Sequence, residues 1–489
     1  MLIAELLQQA GYSDHYLPAR EITGITSNSE NVQKGNLFVA IRGLHHDGHL
    51  FVHRAIEKGA VAVVAERALE CANVLVVPDT REALARLLDA WYGHPAKKLR
   101  LIGITGTNGK TSVSYMVWSL LRQAGYSCGL IGTVECRLND QVLSSPNPSI
   151  LANMTTPDPA ELYRLLGDMR DGGAEYVIME VSSHALAFSK VAPLIYERAI
   201  FTNLTPDHLD LHGDMESYFM EKKKLFASCR GAVVSCLGSY GERLANELEA
   251  PLWRLDDACL NSVQQQGCDG VSFSLKTENG QRERFYLPIP GEFSVENGAL
   301  AALTAMSLGL QTEQIQAGLR QFTGVKGRME RVDEGDVDFS VFIDYAHTPD
   351  ALEKLLYSAR SFCPRDGRVV VVFGCGGDRD RGKRAEMGRV ASKLADFLIL
   401  TADNSRSERT EDILRDILRG TNKEKPYKVI PDRRAAISYA IESAKKNDVI
   451  LLAGKGHEEY EIIGNRRLPF AERDIVRECI LQRRRKHEN

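Results

Sequence analysis

The sequence predicts an α/β protein of three domains, built on mostly parallel sheets with helices on both faces. Short apolar runs alternate with amphipathic helical stretches along the whole chain, the pattern of strands buried between helical layers. A strand, a glycine-rich turn and a helix follow one another over residues 99–124. The 489 residues give room for roughly three domains at about 150 residues each.

The N-terminal segment, residues 1–97, reads as a small α/β domain. It has β-like runs at 36–41, 60–65 and 73–77 and a helical stretch at 80–92. Residues 95–98, Pro-Ala-Lys-Lys, read as a linker. The central segment, residues 98–326, opens with the strand 99–104, the turn 105–110 and a helix over 111–124. Val113, Met116, Val117, Leu120 and Leu121 recur at helical spacing there, so one face is buried. Further strands are predicted at 176–179, 198–202 and 231–235. The C-terminal segment, residues 327–489, has strands predicted at 340–343, 368–373, 397–401 and 449–452, with glycine-rich ends. That pattern suggests a second, Rossmann-like unit. The basic run at 483–487 reads as a solvated helix end.

Composition narrows the function classes. Apolar residues make up 44%, charged residues 26%, and the net charge is −4. This is the balance of an ordinary globular protein, without the basic excess of a nucleic-acid binder. No window reaches the ~18–20 apolar residues of a membrane span. The first sixteen residues, MLIAELLQQAGYSDHY, carry an acid at Glu5 and no basic flank, so they read as a short amphipathic helix rather than an export signal. The 10 cysteines are scattered, with no C-x-x-C pair. They point to free thiols in a reducing compartment, the cytoplasm, and away from structural zinc.

The strongest chemical signal is Gly106-Thr-Asn-Gly-Lys-Thr111 between a strand and a helix. Loop amides and a helix N-terminus cradle phosphate oxygens. Lys110 would neutralise β/γ-phosphates and the Thr111 hydroxyl would ligate Mg²⁺. The loop departs from the general P-loop at Ile104, where the usual first glycine would stand. Without its flanking strand and helix it would read as a tight turn. A second signal is Glu180, placed by the pattern just after an apolar strand and within reach of a metal. A third is the run 202–212, TNLTPDHLDLH, which clusters two His and two Asp. Alone, each of the latter two has a bland reading as a solvated loop.

Together the motifs resemble the Mur ligase family. They are ITSNSENVQKGNLFVAIRG (25–43), GTNGKT (106–111), MTTPD (154–158), EVSSH (180–184), NLTPDHLDLHG (203–213), YFMEKKKLF (218–226), IPGEFSVENGALAA (289–302), GRMERV (327–332), DYAHTPDAL (344–352), GCGGDRDRGKR (374–384) and GKGHEEYE (454–461). They stand in the family's order and span the chain. The resemblance implies an ATP-dependent, amide-forming ligase of peptidoglycan precursor synthesis. It would join meso-diaminopimelate to UDP-N-acetylmuramoyl-L-alanyl-D-glutamate through an acyl phosphate. The implied cofactors are ATP, Mg²⁺ and a CO₂-derived carbamate on Lys222. The implied domains bind the UDP-sugar (1–97), ATP (98–326) and the amino acid (327–489). The implied state is a monomer without nucleic-acid or membrane partners.

Residue by residue, the resemblance assigns Gly106, Thr107, Asn108, Gly109, Lys110, Thr111 and Ser112 to the ATP phosphates. Asn297, Arg328 and Asp344 fall on the rest of the nucleotide. Thr111, Glu180, His208 and Lys222 match the metal set, and Lys110, Glu180, His208 and Lys222 the catalytic set. The spacing of YFMEKKKLF selects Lys222 over Lys223 and Lys224, which would otherwise read as one solvated basic face. A bare ammonium would repel Mg²⁺, whereas a carbamate offers it oxygen. Ser29, Thr155, Thr156 and Ser182, with Phe188 and Lys190, match the muramoyl-peptide side. Arg379, Asp403, Asn404, Ser405, Arg406, Gly454 and Glu458 match the diaminopimelate pocket.

The pocket chemistry is consistent. Arginine forks suit the extra carboxylate of diaminopimelate, and Glu458 and Asp403 suit an ammonium. Arg406 also has a bland reading, as a surface ion pair with Glu408 or Glu411. The chain departs from the family at Ser405 (usually Pro), at Phe188 and Lys190 (usually Gln and Arg) and at Glu30 (usually Arg). Two alternatives therefore stay open. One is a Mur-like ligase using another acceptor or amino acid, with folylpolyglutamate synthases disfavoured by the N-terminal segment and the DNSR run. The other is a P-loop ATPase switch.

Overall fold

The computed structural model describes residues 1–12, 20–43, 46–71, 73–144, 154–277, 279–333 and 337–488. The helix predicted within residues 1–16 forms as Ile3–Gln9; residues 13–16 lie outside the described residues. The chain folds into two compact units. One is residues 1–254 with 303–308, the other 255–302 with 309–489.

The first unit holds two sheets. Four short strands, β1 (Gly24–Thr26), β2 (Asn36–Val39), β3 (Ala62–Ala65) and β4 (Val74–Val76), pair in parallel in chain order. Side chains alternate across this sheet: Leu37, Val39 and Val64 enter one core, and Phe38, Val63 and Ala65 the other. The helix Thr80–Trp91 buries Leu84, Leu87 and Leu88, and its N-cap Asp79 accepts from the N–H groups of Arg81 and Glu82.

The second sheet contains β5 (Arg100–Thr105), β6 (Cys128–Ile131), β7 (Cys136–Leu138), β8 (Gln141–Val142), β9 (Tyr176–Glu180), β10 (Tyr196–Phe201), β11 (Ala232–Ser235) and β12 (Leu252–Leu255), in the order 12-11-10-5-9-6-7-8. β5 runs parallel to β9 on one side and β10 on the other. Their C-terminal ends therefore open side by side, the position where open α/β sheets bind ligands. Glu180 is the last residue of β9; the sequence pattern placed it just beyond the strand. The helix after β5 is Lys110–Gln123, and it buries the predicted face of Val113, Met116, Val117, Leu120 and Leu121.

The second unit pairs an antiparallel sheet with a largely parallel one. The first has β13 (Leu260–Gln265), β14 (Val271–Lys276) and β15 (Arg282–Leu287). The second has β16 (Glu330–Arg331), β17 (Ser340–Asp344), β18 (Val369–Phe373), β19 (Phe397–Leu400), β20 (Tyr427–Val429) and β21 (Val449–Ala453), in the order 16-17-21-18-19-20. All its pairings are parallel except β16 with β17. Val341, Val370, Ile399 and Ile450 pack with Ile437, Ile441 and Val476. A hairpin, β22 (Tyr460–Ile463) and β23 (Arg466–Pro469), follows. All ten cysteines are free thiols. No helix among the described residues is long and apolar enough to cross a membrane.

Leu121 is fully buried on the helix that presents the glycine-rich loop. Leu121→Ala is expected to cost about 2–5 kcal/mol, read as a lower urea midpoint.

Candidate active site

The turn between β5 and the helix Lys110–Gln123 is built by close backbone approach. Gly106 has φ +147°, and a Cβ there would sit 1.9 Å from Thr202 Oγ1. Thr202 Oγ1 donates to Asn108 O at 2.6 Å. Asn203 receives the Thr107 N–H on its carbonyl (2.9 Å) and the Asn108 N–H on Oδ1 (3.0 Å). Those two amides brace the turn. The cradle for an anion falls to residues 109–112, because first-turn N–H groups have no earlier helical acceptor. Gly109, at φ +84°, caps that helix.

Two lysines fold onto this turn. Lys110 Nζ donates to Gly106 O (2.9 Å) and Thr107 O (2.8 Å), and Lys222 Nζ donates to the same Gly106 O at 2.9 Å. Lys222 is 1% exposed and lies 4.6 Å from the centroid of the Tyr218 ring. Burial, then the charge of Lys110, holds its amine well below the usual lysine range.

Glu180 is buried. It accepts from Thr111 Oγ1 (3.0 Å), Thr133 N (3.0 Å) and Thr133 Oγ1 (3.0 Å). No Lys, Arg or His pairs with it among the described residues. A Cβ at Gly132 would come within 2.4 Å of Glu180 Oε1, so glycine makes room for the carboxylate. A buried carboxylate with only neutral donors beside a phosphate-type loop has the chemistry of a cation ligand.

His208 closes the site at φ +53°. Its ring stands 4.9 Å from that of His184 and 6.4 Å from Tyr218. Burial, followed by the neighbouring His208 and His212, lowers His184 to about 4. Burial raises Tyr218 to about 12.

Of the residues expected on the acceptor side, Thr155, Thr156 and Ser182 lie beside the end of β9. Thr133 Oγ1, which donates to Glu180, lies 3.1 Å from Thr155 Oγ1 and can accept from it. Thr156 Oγ1 donates to Glu180 O (2.9 Å) and accepts the Ser182 N–H (3.0 Å). Ser182 caps the helix Ser183–Ala187. Lys190 pairs with Asp158 (2.6 Å), and the Arg81 guanidinium lies 4.4 Å over the Phe188 ring. Ser29 is buried. Lys58 Nζ donates to Ser29 O (3.1 Å) and pairs with Glu30 (3.2 Å).

The second unit carries the residues expected on the amine side, at the ends of β18, β19 and β21. Asn404 is their hub: Nδ2 donates to Glu458 Oε2 (2.8 Å), and Oδ1 accepts from Lys455 Nζ (3.1 Å) and Ile462 N (3.0 Å). Arg406 Nη1 donates to Gly377 O (2.8 Å) and, at 3.5 Å, to Asn404 O. The ion pair offered as the bland reading of Arg406 does not form. Glu408 is taken by Arg384 and Arg381, and Glu411 by Arg409. Arg379 is exposed with no ion pair among the described residues.

Burial works against the Asp403 charge, but Lys455 and Arg433 outweigh it and lower the carboxyl. Burial raises Glu458 against the Asn404 bond. Ser405 is buried, and Gly454 takes φ +116° with its N–H on Asp344 O. Asp344 accepts the N–H groups of Met329 (2.8 Å) and Ala346 (2.9 Å). Arg328 lies 4.8 Å over the Tyr345 ring. Asn297 is buried on the helix Glu292–Ser307.

The sequence reading missed Thr133, Tyr218, Thr202 and Asn203. Three of them lie in or beside motifs already singled out, at 202–213 and 218–226. Thr133 has no sequence signal; only the fold brings it to Glu180.

A P-loop strand end joined to glycine-rich Rossmann-like loops defines a nucleotide-dependent ligase architecture. Three family profiles match: the Mur ligase family catalytic domain over residues 21–92, the Mur ligase middle domain over 104–306, and the Mur ligase glutamate ligase domain over 327–456. The chain belongs to the Mur ligase family. It is 42% identical over 499 residues to a UDP-N-acetylmuramoyl-L-alanyl-D-glutamate–2,6-diaminopimelate ligase of Gloeobacter violaceus, covering 99% of each chain. With the enzyme of that name from Clostridium tetani it shares 40% over 472 residues, covering 94% of this chain and 95% of the relative. A solved structure bearing that enzyme name superposes with a TM-score of 0.71 at 29% identity over 99% of this chain and 100% of the other. A folylpolyglutamate synthase of Mycobacterium tuberculosis, solved with ADP and AMPPCP, shares the fold (TM-score 0.62, 19% identity, 76% of this chain and 92% of that one).

Gly106→Ala is expected to abolish nucleotide binding, measured by titration with a fluorescent ATP analogue. The +147° backbone and the Thr202 contact leave no room for a methyl group.

Proposed function

We propose that this chain catalyses ATP-dependent amide-bond formation between the D-Glu γ-carboxylate of UDP-N-acetylmuramoyl-L-alanyl-D-glutamate and meso-diaminopimelate, in peptidoglycan precursor synthesis. It works as a cytoplasmic monomer. Residues 1–97 grip the UDP-sugar, 98–326 ATP, and 327–489 the amino acid. The carrying observation is at Asn404. On one side stands a guanidinium, Arg406, with no carboxylate in ion-pair reach among the described residues. On the other stands a carboxylate, Glu458, with no cation in ion-pair reach among them. An amino-acid head, carboxylate plus ammonium, is the complement of that pair.

The chemistry begins with transfer of the γ-phosphoryl group to the acceptor carboxylate. A carboxylate resists attack because oxide is a poor leaving group, and phosphorylation supplies a better one. The amine then attacks the acyl carbon and phosphate departs. The amides of residues 109–112 and the Lys110 ammonium stabilise charge on the transferring group, and such stabilisation supplies most of the rate in phosphoryl transfer. Thr156 and Ser182 fix the loop beside the acceptor carboxylate. Burial pushes the Lys222 amine well below the usual lysine range, which favours the free amine that CO₂ addition requires. The residues fit Mg²⁺: Thr111, Glu180, His208 and a Lys222 carbamate would hold it, and it would neutralise phosphate charge.

The acceptor side favours a second reading through one group of contacts. Glu30 is neutralised by Arg54 and Lys58, and Lys190 by Asp158. Neither offers a spare cation where the family's usual residues would. A Mur-like ligase with a different carboxylate acceptor would tolerate this, and an acceptor panel separates the two.

Phosphate release by the purified chain should require both the UDP-muramoyl dipeptide and meso-diaminopimelate. Equal rates with L-lysine would remove the arginine argument. Lys222→Ala should lose turnover, with partial return on adding small carboxylates; an unaffected variant would refute the carbamate. Lys110→Ala should lower kcat by about 10²–10³-fold or more.

A further inference from the structure

Two of the loops that carry the amine-side residues follow adjacent parallel strands, β18 and β19. They are bonded to each other along their length. Gly377 N–H donates to Asn404 O (2.9 Å), and Arg406 Nη1 returns a bond to Gly377 O (2.8 Å). Ser407 donates twice to Asp378, from Oγ to Oδ1 (2.6 Å) and from N to Oδ2 (3.1 Å). Asp378 N–H donates to Glu408 Oε1 (2.7 Å).

Glu408 is itself gripped by a buried arginine. Arg384, 0% exposed on the helix Gly382–Leu394, donates Nη2 to Glu408 Oε1 (2.7 Å) and Nη1 to Glu408 Oε2 (3.0 Å). Nη1 also reaches Asp416 at 3.0 Å. This is the two-pronged geometry that fixes direction as well as distance. The Arg384 bonds, then the Asp378 N–H, push Glu408 down to about 2, so the fork stays charged across the working pH range.

The clamp has something to hold. Asp378 (φ +52°) and Arg406 (φ +51°) are both left-handed without being glycine. Such a strained backbone persists only where its surroundings over-determine it. One neighbours Arg379; the other is Arg406. Between them Ser405 leaves φ free where a proline would fix it.

We propose that Arg384 and Glu408, acting through Asp378 and Ser407, are positioning residues that hold Arg379 and Arg406 to receive the distal carboxylate of diaminopimelate. They thereby set selectivity against lysine. This rests on the reading of the amine-side pocket given above.

The test uses the full chain and measures KM for ATP, acceptor and meso-diaminopimelate, with L-lysine as competing amine. Ser407→Ala and Asp378→Asn are exposed changes that keep the core intact. Each should raise KM for diaminopimelate about five- to tenfold, the loss expected for one typical net hydrogen bond. KM for ATP and for the acceptor should not move, and the preference over lysine should narrow by the same factor. Ser407→Thr, which keeps the hydroxyl, should restore both. Glu408→Gln should act in the same direction and more strongly.

Unchanged KM and unchanged selectivity in Ser407→Ala and Asp378→Asn would overturn the clamp. So would a parallel rise in all three KM values, the mark of a merely structural role. If the unaltered chain releases phosphate equally well without diaminopimelate, the pocket reading itself fails, and the clamp fails with it as a determinant of selectivity.

Discussion

Two lysine amines share one carbonyl oxygen at Gly106, and the rest of the nucleotide site follows from how that crowding is relieved. Lys110 keeps a second acceptor, Thr107 O, and a place at a helix start where an anion is welcome. Lys222 has an aromatic face and no room. Two ammonium charges on one acceptor would repel, and burial penalises the deeper one, so the Lys222 amine is pushed well below the usual lysine range. Glu180 is complementary: a buried negative charge surrounded by hydroxyls and one amide. A buried carboxylate with only neutral donors leaves a demand for a cation beside the phosphate cradle.

That demand is arranged by the backbone. β5, β9 and β10 are neighbours, so the glycine-rich turn, Glu180 and the Thr202–Asn203 pair arrive together although they are distant in sequence. Asn203 makes the arrangement rigid by taking both loop amides nearest β5. The same logic recurs in the second unit, where β18, β19 and β21 bring Arg379, Asn404 and Glu458 to one end of a parallel sheet.

Much of this was readable from residue order. Strands buried on both faces are apolar runs, so β5, β10, β18 and β21 announced themselves, as did the amphipathic helix after the turn. The antiparallel ribbons did not. β13, β22 and β23 are half-exposed or exposed along their length, and a strand with little apolar surface to bury leaves little periodicity to read. Glu180 was placed one step too late because a charged residue looks like the end of a strand unless its buried donors are known. Thr133 could not be found at all. That Arg406 pairs with neither neighbouring acid was equally hidden: its nearest acids in sequence are Glu408 and Glu411, and only the fold shows them committed to other arginines.

Gly376 sits where two pocket arginines converge. The Cβ position of Gly376 is 2.9 Å from Arg406 Nη1 and 3.7 Å from Arg379 Cγ, while Glu458 is tied to Asn404. A molecule anchored at two points can still spin about the line joining them, and its mirror image fits as well. Three anchors on rigid backbone end that freedom. Were Arg379, Arg406 and Glu458 to grip one ligand together, as proposed above, they would read its handedness, and for a ligand whose two ends are opposite in hand they would choose which end goes in first.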